Sequence, residues 1–203
     1  VAALLDDGRI LEGDILVAAD GIHSAIRTQM LGDQPARFTG NVAWRATVPM
    51  EELGKLAPPP TACVWVGKGR HAVTYQLRGG EMANIVGVVE RDDWQQESWL
   101  ERGSREEALA DFSGWHPTIR TLFEKAQEHY RWALFDRPAL PHWHDGRAVM
   151  VGDSCHPMLP FLAQGATMAM EDALTLARCL AAEQPAHRNS QPVNAETAFE
   201  RYF

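Results

Sequence analysis

The sequence is short of cysteine, of long apolar runs and of positive charge, and each shortage closes a class of functions. Its 3 cysteines, Cys63, Cys155 and Cys179, are an odd number with no close pair, which fits reduced thiols and not a disulfide framework or a cysteine zinc site. Apolar stretches such as Ile15–Ala19 and Ala148–Val151 fall far below the roughly 20 residues that cross a bilayer. Neither end carries the basic, apolar and small-residue pattern of a targeting signal, so a cytoplasmic protein with no membrane partner is expected. Lys and Arg number 19 against 27 Asp and Glu, a formal net charge of -8 at pH 7. Such a chain has no basic field to displace counterions from a phosphate backbone, and no nucleic-acid partner is expected. A working dinucleotide fingerprint is also missing. Gly67-Lys68-Gly69-Arg70-His71-Ala72 has the letters, yet Ala72–Leu77 alternates like a strand instead of opening a helix, so the segment reads as a hairpin.

What is present is ordinary globular material: 203 residues, 45% hydrophobic and 23% charged, enough for one large domain or two small ones. Val1–Leu5 and Arg9–Glu12 flank an Asp6-Asp7-Gly8 turn and read as a hairpin. Asp14–Ala19 is apolar in its body and reads as a strand buried on both faces, followed by a short helix over His23–Leu31. From Phe38 to Glu90 the pattern alternates, with strands over Val42–Val48, Cys63–Val66, Ala72–Leu77 and Ala83–Val89. Helices are expected over Ser104–Phe112 and Pro117–Gln127, with Ser104 as cap and Pro117 in the first turn. Strands over Arg131–Phe135 and Ala148–Val151 precede a long helix of small residues from about Ala163 to Ala182. The chain opens on Val1 inside an alternating segment and closes on Phe203 inside a helical pattern, which reads as a piece of a longer protein.

Two strand–loop–helix junctions carry chemistry. In the first, the strand Ala148–Val151 runs into Gly152-Asp153 and, past Pro157 and Pro160, into Gln164-Gly165-Ala166 at a helix start. A helix start offers unpaired N–H groups and a positive dipole, suited to a phosphate or to the anionic edge of a reduced flavin. Asp153 suits sugar or ribityl hydroxyls, and small residues let a flat ring approach the backbone. In the second, a strand ends in Asp20-Gly21 and a helix begins with Ser24 and Arg27. One such loop is ordinary punctuation; two together indicate a split α/β nucleotide-binding core with a separate sheet inserted between its halves.

The run DILVAADGIHSAIR resembles the Asp-Gly fingerprint of the class A flavoprotein monooxygenases, and GDSCHPMLPFLAQGATMAMEDA resembles their Gly-Asp fingerprint, in the same order and with a β-rich domain between. FTGNVAWRATVP and RPALPHWHDGRAVMVGD are similar to that family as well, so the resemblance covers nearly the whole chain; within the family it is nearest to the salicylate, 3-hydroxybenzoate and 6-hydroxynicotinate hydroxylases. It implies an α/β (α+β) fold: an incomplete, Rossmann-like FAD-binding domain made of residues 1–35 and 146–203, with a β-rich substrate domain over 36–145 inserted. It also implies FAD as cofactor, with Asp153 at the ribityl chain, Gly165 and Ala166 at the isoalloxazine ring, Gly152 and Gln164 also in cofactor binding, Pro160 lining the flavin and substrate side, and Asp20, Gly21 and Arg27 in FAD and nicotinamide-nucleotide binding. Arg27 can equally be structural, bridging strand and helix.

The implied chemistry is hydroxylation of a small phenolic or heteroaromatic acid: NADH or NADPH reduces the flavin, O2 adds at its C4a carbon, and the hydroperoxide transfers OH to the ring. A base beside the substrate hydroxyl would favour the phenolate. His71 and Tyr75 share one face of an alternating strand and, by the resemblance, are the catalytic and substrate-binding pair; alone they would be half-buried sheet residues. Gln76 stands where many relatives have proline. Trp44 near them favours a small aromatic ligand. His156 is a further substrate-side candidate or merely closes a turn. No metal is expected: His142, His144 and Asp145 lack further ligands at useful spacing, and Cys155-His156 lacks an orienting third group for nucleophilic work. Two alternatives stay open, a larger substrate on the same fold and a non-catalytic fragment or interaction module; a homodimer of the longer protein is a further partner to expect.

Overall fold

The computed structural model describes residues 1–93, 101–184 and 194–203. The chain forms two compact units, one of Val1–Arg37 with Asp136–Phe203, the other of Phe38–Phe135. The first begins with the antiparallel hairpin β1 (Ala2–Leu4) and β2 (Ile10–Glu12). Its turn is closed by Gly8 at φ 83° and by Asp7, whose Oδ1 accepts the Arg9 N–H at 3.0 Å. Strand β3 (Leu16–Ala18) and helix α1 (Ala25–Leu31) follow. The Ser24 hydroxyl caps α1 by accepting the Arg27 N–H at 2.9 Å, which satisfies one of the unpaired donors of a helix start.

The second unit is a five-stranded sheet with two helices. Its elements in chain order are β4 (Arg37–Pro49, its first residue contributed by the first unit), β5 (Cys63–Gly67), β6 (Arg70–Leu77), β7 (Met82–Glu90), α2 (Arg105–Asp111), α3 (Pro117–Lys125) and β8 (Tyr130–Asp136). The strand order is β5-β6-β7-β4-β8. Alternation decides which face is core: Val42, Trp44, Ala46 and Val48 of β4 are buried with Ala83, Ile85 and Val89 of β7 against Phe112, Ile119, Leu122 and Phe123. Burying each large side chain contributes about 1.5–3 kcal/mol. A full capping box, Ser104 with Glu107, starts α2, and Pro117 occupies the first turn of α3. Gly67 and Gly69 flank the β5–β6 connection, with Gly67 opposite Arg70, so the false fingerprint is a hairpin.

The chain re-enters the first unit with β9 (His144–Asp145), β10 (Ala148–Met150), α4 (Gly165–Ala182) and α5 (Ala195–Tyr202). Strand β10 pairs parallel with β3, Val149 opposite Val17, and antiparallel with β9. Val149, Leu176, Ala198, Phe199 and Tyr202 form one cluster; Ala18, Leu140, Met150 and Cys155 form another.

Three expectations need correction. Residues 136–145, assigned from sequence to the inserted domain, belong with the first unit, because β9 pairs with β10 and Leu140 and Trp143 pack beside Met150. His144 lies in β9 itself. Strand β3 is not buried on both faces: Val17 is 45% exposed while Ala18, on the other face, is buried. Trp44 is fully buried in the core, its Nε1 donating to Asp111 Oδ2 at 2.7 Å, and so cannot line a ligand site. Among the described residues no helix is long and apolar enough to cross a membrane.

The core of the second unit leaves no room at Gly87, where an added Cβ would lie 2.5 Å from Phe112 Cζ and 3.2 Å from Phe123 Cζ. The stacked rings of Phe112 and Phe123 are held on all sides, so Gly87→Ala should cost about 1–3 kcal/mol of stability. Urea unfolding checks this, and an unchanged midpoint contradicts the packing described.

Candidate functional site

Strand β10 leads into a single 3-10 turn, Gly152–Ser154. Gly152 has φ 61°, and a Cβ there would sit 3.0 Å from Ala169 Cβ, so glycine both permits the left-handed turn and lets the loop lie against α4. Its N–H donates to Asp172 Oδ2 on α4 at 2.7 Å. The buried Ser154 hydroxyl accepts the Val151 N–H at 3.1 Å and donates to Ala18 O at 2.7 Å, tying this loop to the end of β3. Beyond β3, Gly21 turns the chain at φ 78°. The Asp20 carboxylate accepts the Ile26 N–H at 3.2 Å. Partial burial works to raise the Asp20 pKa, but hydrogen bonds from Ser24 and the first-turn N–H groups outweigh it and hold the carboxyl below its ordinary value.

Arg27 joins the two loops. It is 3% exposed, and its guanidinium donates to Ile22 O at 2.5 Å, to Ser154 O at 3.1 Å and more weakly to Asp153 O at 3.4 Å. Three main-chain carbonyls from sequence-distant loops thus converge on one side chain, which acts as a brace.

The loops and the start of α4 enclose a cavity of about 680 Å³, walled by Gly21, Gly152, Asp153, Pro160, Gly165 and Ala166 together with further alanines and Met158. That volume lies within the range of small-molecule sites. Gln164 occupies the N-cap position of α4 but makes no side-chain capping bond. The first-turn N–H groups are therefore without a side-chain cap, with the positive end of an 18-residue helix behind them. The Asp153 carboxylate is exposed beside them, its Oδ1 3.9 Å from where a Gly165 Cβ would be. A wall of glycine and alanine, free backbone donors and one carboxylate fits the ribityl chain and flat ring of FAD.

Behind the loop, His156 Nε2 lies 2.5 Å from Asp172 Oδ2, the oxygen that also accepts from Gly152. His156 packs on the Trp143 ring at 5.1 Å, and its Nδ1 is buried without a hydrogen-bond partner. It does not line the cavity. Ligand atoms of Cys155, His156 and Asp172 approach within 4.8 Å of one another, but they are engaged in hydrogen bonds, the Cys155 thiol with Gly152 O at 3.3 Å. Burial and the Asp172 charge push this thiol up to about 12, so at neutral pH it is protonated and no nucleophile.

His71 and Tyr75 lie in the second unit, on the face of β6 opposite the helices, where the register pairs His71 with Val88 and Tyr75 with Asn84 of β7. Both are half-buried, and burial pushes the His71 imidazole below its ordinary value.

Residues 3–192 match the family described as the FAD binding domain. The chain belongs to that family. It is 43% identical to 6-hydroxynicotinate 3-monooxygenase of Pseudomonas fluorescens over 200 residues, 97% of this chain and 50% of the relative. It is 41% identical to 3-hydroxybenzoate 6-hydroxylase of Klebsiella oxytoca over 177 residues, 87% of this chain and 44% of the relative. Among solved structures, HpxO of Klebsiella pneumoniae complexed with FAD and uric acid superposes with a TM-score of 0.80 at 28% identity, covering 99% of this chain and 49% of HpxO. A salicylate hydroxylase substrate complex gives 0.74 at 27% identity over 88% of this chain and 48% of its own. The chain spans about half the length of the relatives it matches.

The family's FAD-binding fold and the two loops expected from the sequence are present, and Gly21, Gly152, Asp153, Pro160, Gly165 and Ala166 meet at one cavity. Asp20, Arg27 and Gln164 stand outside its wall. Sequence reasoning passed over Asp172, whose one signal is a charged residue inside a run of small and apolar ones, and Ser154.

Two outcomes follow from this geometry. Arg27→Met would strand buried carbonyls at about 1–3 kcal/mol each, so thermal unfolding should show a clear loss of stability; a neutral effect contradicts the brace. Alkylation by iodoacetamide at pH 8, read by mass spectrometry, should mark the half-exposed Cys63 and spare Cys155 in the folded protein, because a thiol raised to about 12 is protonated there; rapid labelling of Cys155 contradicts its burial.

Proposed function

We propose that the protein to which this chain belongs is an NAD(P)H- and FAD-dependent monooxygenase that hydroxylates a small phenolic or heteroaromatic acid in the cytoplasm. The observation that carries this reading is the cavity where Gly152-Asp153 meets the free start of α4, in a chain of the FAD-binding family similar to enzymes named for hydroxynicotinate and hydroxybenzoate. The balance is one ring C–H, NAD(P)H, H+ and O2 in, and one ring C–OH, NAD(P)+ and H2O out.

When bound, FAD supplies the redox chemistry that couples NAD(P)H oxidation to oxygen insertion. The residues of the chain supply the rest. Backbone N–H groups of Gly165 and Ala166, with the α4 dipole, favour negative charge at the ring edge. Asp153 accepts from ribityl hydroxyls. The Asp20-Gly21 turn, held by Arg27, keeps the opposite wall in place. His71, neutral because of its burial, takes the proton of the substrate's ring hydroxyl, which raises the electron density of the ring, and Tyr75 beside it offers a second hydrogen bond. His156, held by Asp172, supports the loop from behind and does not face the substrate.

NADH oxidation measured with salicylate, hydroxybenzoates and 6-hydroxynicotinate, scoring hydroxylated product and peroxide separately, tests the reading: at least one acid should stimulate oxidation and be hydroxylated, and a panel with no product refutes it. A second expectation concerns pH. Activity that needs neutral His71 is present above its pKa and lost as pH falls through it. Since burial lowers that pKa, the acidic limb should lie below the ordinary imidazole value near 6.5 and vanish in His71→Ala together with about 10²–10⁴ of the rate; an unchanged profile removes His71 from the mechanism.

A further inference from the structure

The face of the second unit's sheet that carries His71 and Tyr75 is asymmetric in charge. Paired residues of antiparallel strands point to the same side, so the register sets three rows across β6, β7 and β4: His71–Val88–Ala43, Val73–Val86–Arg45, and Tyr75–Asn84–Thr47. The middle row is an apolar floor, half-buried at Val73 and Val86, that ends in a guanidinium. Arg45 stands two strand spacings from Val73, roughly 10 Å.

Other arginines in or beside this sheet are engaged elsewhere. Arg91 pairs with Asp93 and Asp111, Arg131 with Glu107, and Arg70 donates to the Asp111 carbonyl. Arg45 is exposed. Among the described residues its partner is neutral: its Nε reaches Asn84 Oδ1 at 3.4 Å. Asn84 itself is fully buried, and its Nδ2 has no hydrogen-bond partner. On its other side Arg45 borders a cavity of about 660 Å³ with Thr47, Tyr130 and Trp132. Glu128, the acid at that cavity, is already matched by Arg102 at 2.7 Å and by the Tyr130 hydroxyl at 2.6 Å. An accessible cation without a counter-charge, steadied by a buried amide with an unused donor, is suited to a ligand carboxylate.

We propose that Arg45 is the specificity-determining anchor for the carboxylate of an aromatic hydroxy acid whose ring lies over Val73 and Val86 and whose hydroxyl is directed to His71 and Tyr75. This rests on the function proposed above and adds to it the reason for an acid as substrate: the guanidinium reads the charged end, while His71 and Tyr75 read the hydroxyl end.

The test is equilibrium binding, which needs no turnover. Fluorescence titration of the FAD-loaded, full-length protein with 3-hydroxybenzoate and 6-hydroxynicotinate, and with the neutral 3-hydroxybenzamide and 6-hydroxynicotinamide, gives dissociation constants for wild type, Arg45→Gln and Arg45→Lys. Wild type should prefer an acid over its amide. Arg45→Gln should weaken the acid about 10- to 100-fold, the scale of hydrogen bonds to a charged group, and the amide by less than about threefold by the same reasoning. Arg45→Lys, which keeps the charge and loses the fork, should fall between while still preferring the acid. If Arg45→Gln does not fold, the proposal stands or falls on whether Arg45→Lys weakens the acid more than the amide. Equal weakening of acid and amide, or no weakening of either, overturns the anchor and leaves the proposed reaction standing. A wild-type protein that binds none of the four compounds overturns the proposed function, and the anchor with it.

Discussion

One carboxylate oxygen, Asp172 Oδ2, accepts from the Gly152 N–H at 2.7 Å and lies 2.5 Å from His156 Nε2. The first part of the loop after β10, at Gly152 and at His156, is therefore tied to α4 at a single buried point. Without it, the left-handed turn at Gly152 would have a buried N–H with no acceptor, a penalty of about 1–3 kcal/mol, and the loop would have nothing to hold it against a helix face built of alanine and methionine. The cavity exists because this tie places the loop and the open start of α4 side by side.

Asp172 works together with Arg27 and Ser154, and the three act on different levels. Asp172 sets the loop against the helix. Ser154 sets it against β3 through Ala18 O. Arg27 fastens it to the neighbouring loop through the Ile22 and Ser154 carbonyls. None of the three needs to touch a cofactor to matter, because a site made chiefly of backbone N–H groups and small side chains has no long side chain with which to adjust. Preorganisation must come from behind the wall.

Much of this was legible in the sequence where the signal is local. The Asp6-Asp7-Gly8 turn, the Ser104 cap, the Pro117 start, the alternation of β4 to β7 and the two Gly/Asp junctions are each written in a few consecutive residues. What was not legible depends on contacts between distant segments. Arg27 could be named, but its bonds to carbonyls 126 and 127 positions away decide that it is a brace. The two-residue strand β9 is too short to show a period, so the domain boundary fell ten residues late. Trp44 carried an aromatic signal, yet only the register of β4 shows that it points into the core, and the same register turns Arg45, one residue on, to the opposite face. The exposure of Val17 depends on what packs over that face of β3, which the run of apolar residues cannot tell.

The central claim is that the glycine and alanine wall between Gly152-Asp153 and the start of α4 is where the flavin ring meets this chain. A crystal structure of the FAD-loaded, full-length protein tests it most directly. The account predicts the isoalloxazine edge within hydrogen-bond distance of the Gly165 and Ala166 N–H groups, with the ribityl hydroxyls at Asp153. A flavin ring bound away from these groups, with the start of α4 facing only solvent, would contradict it.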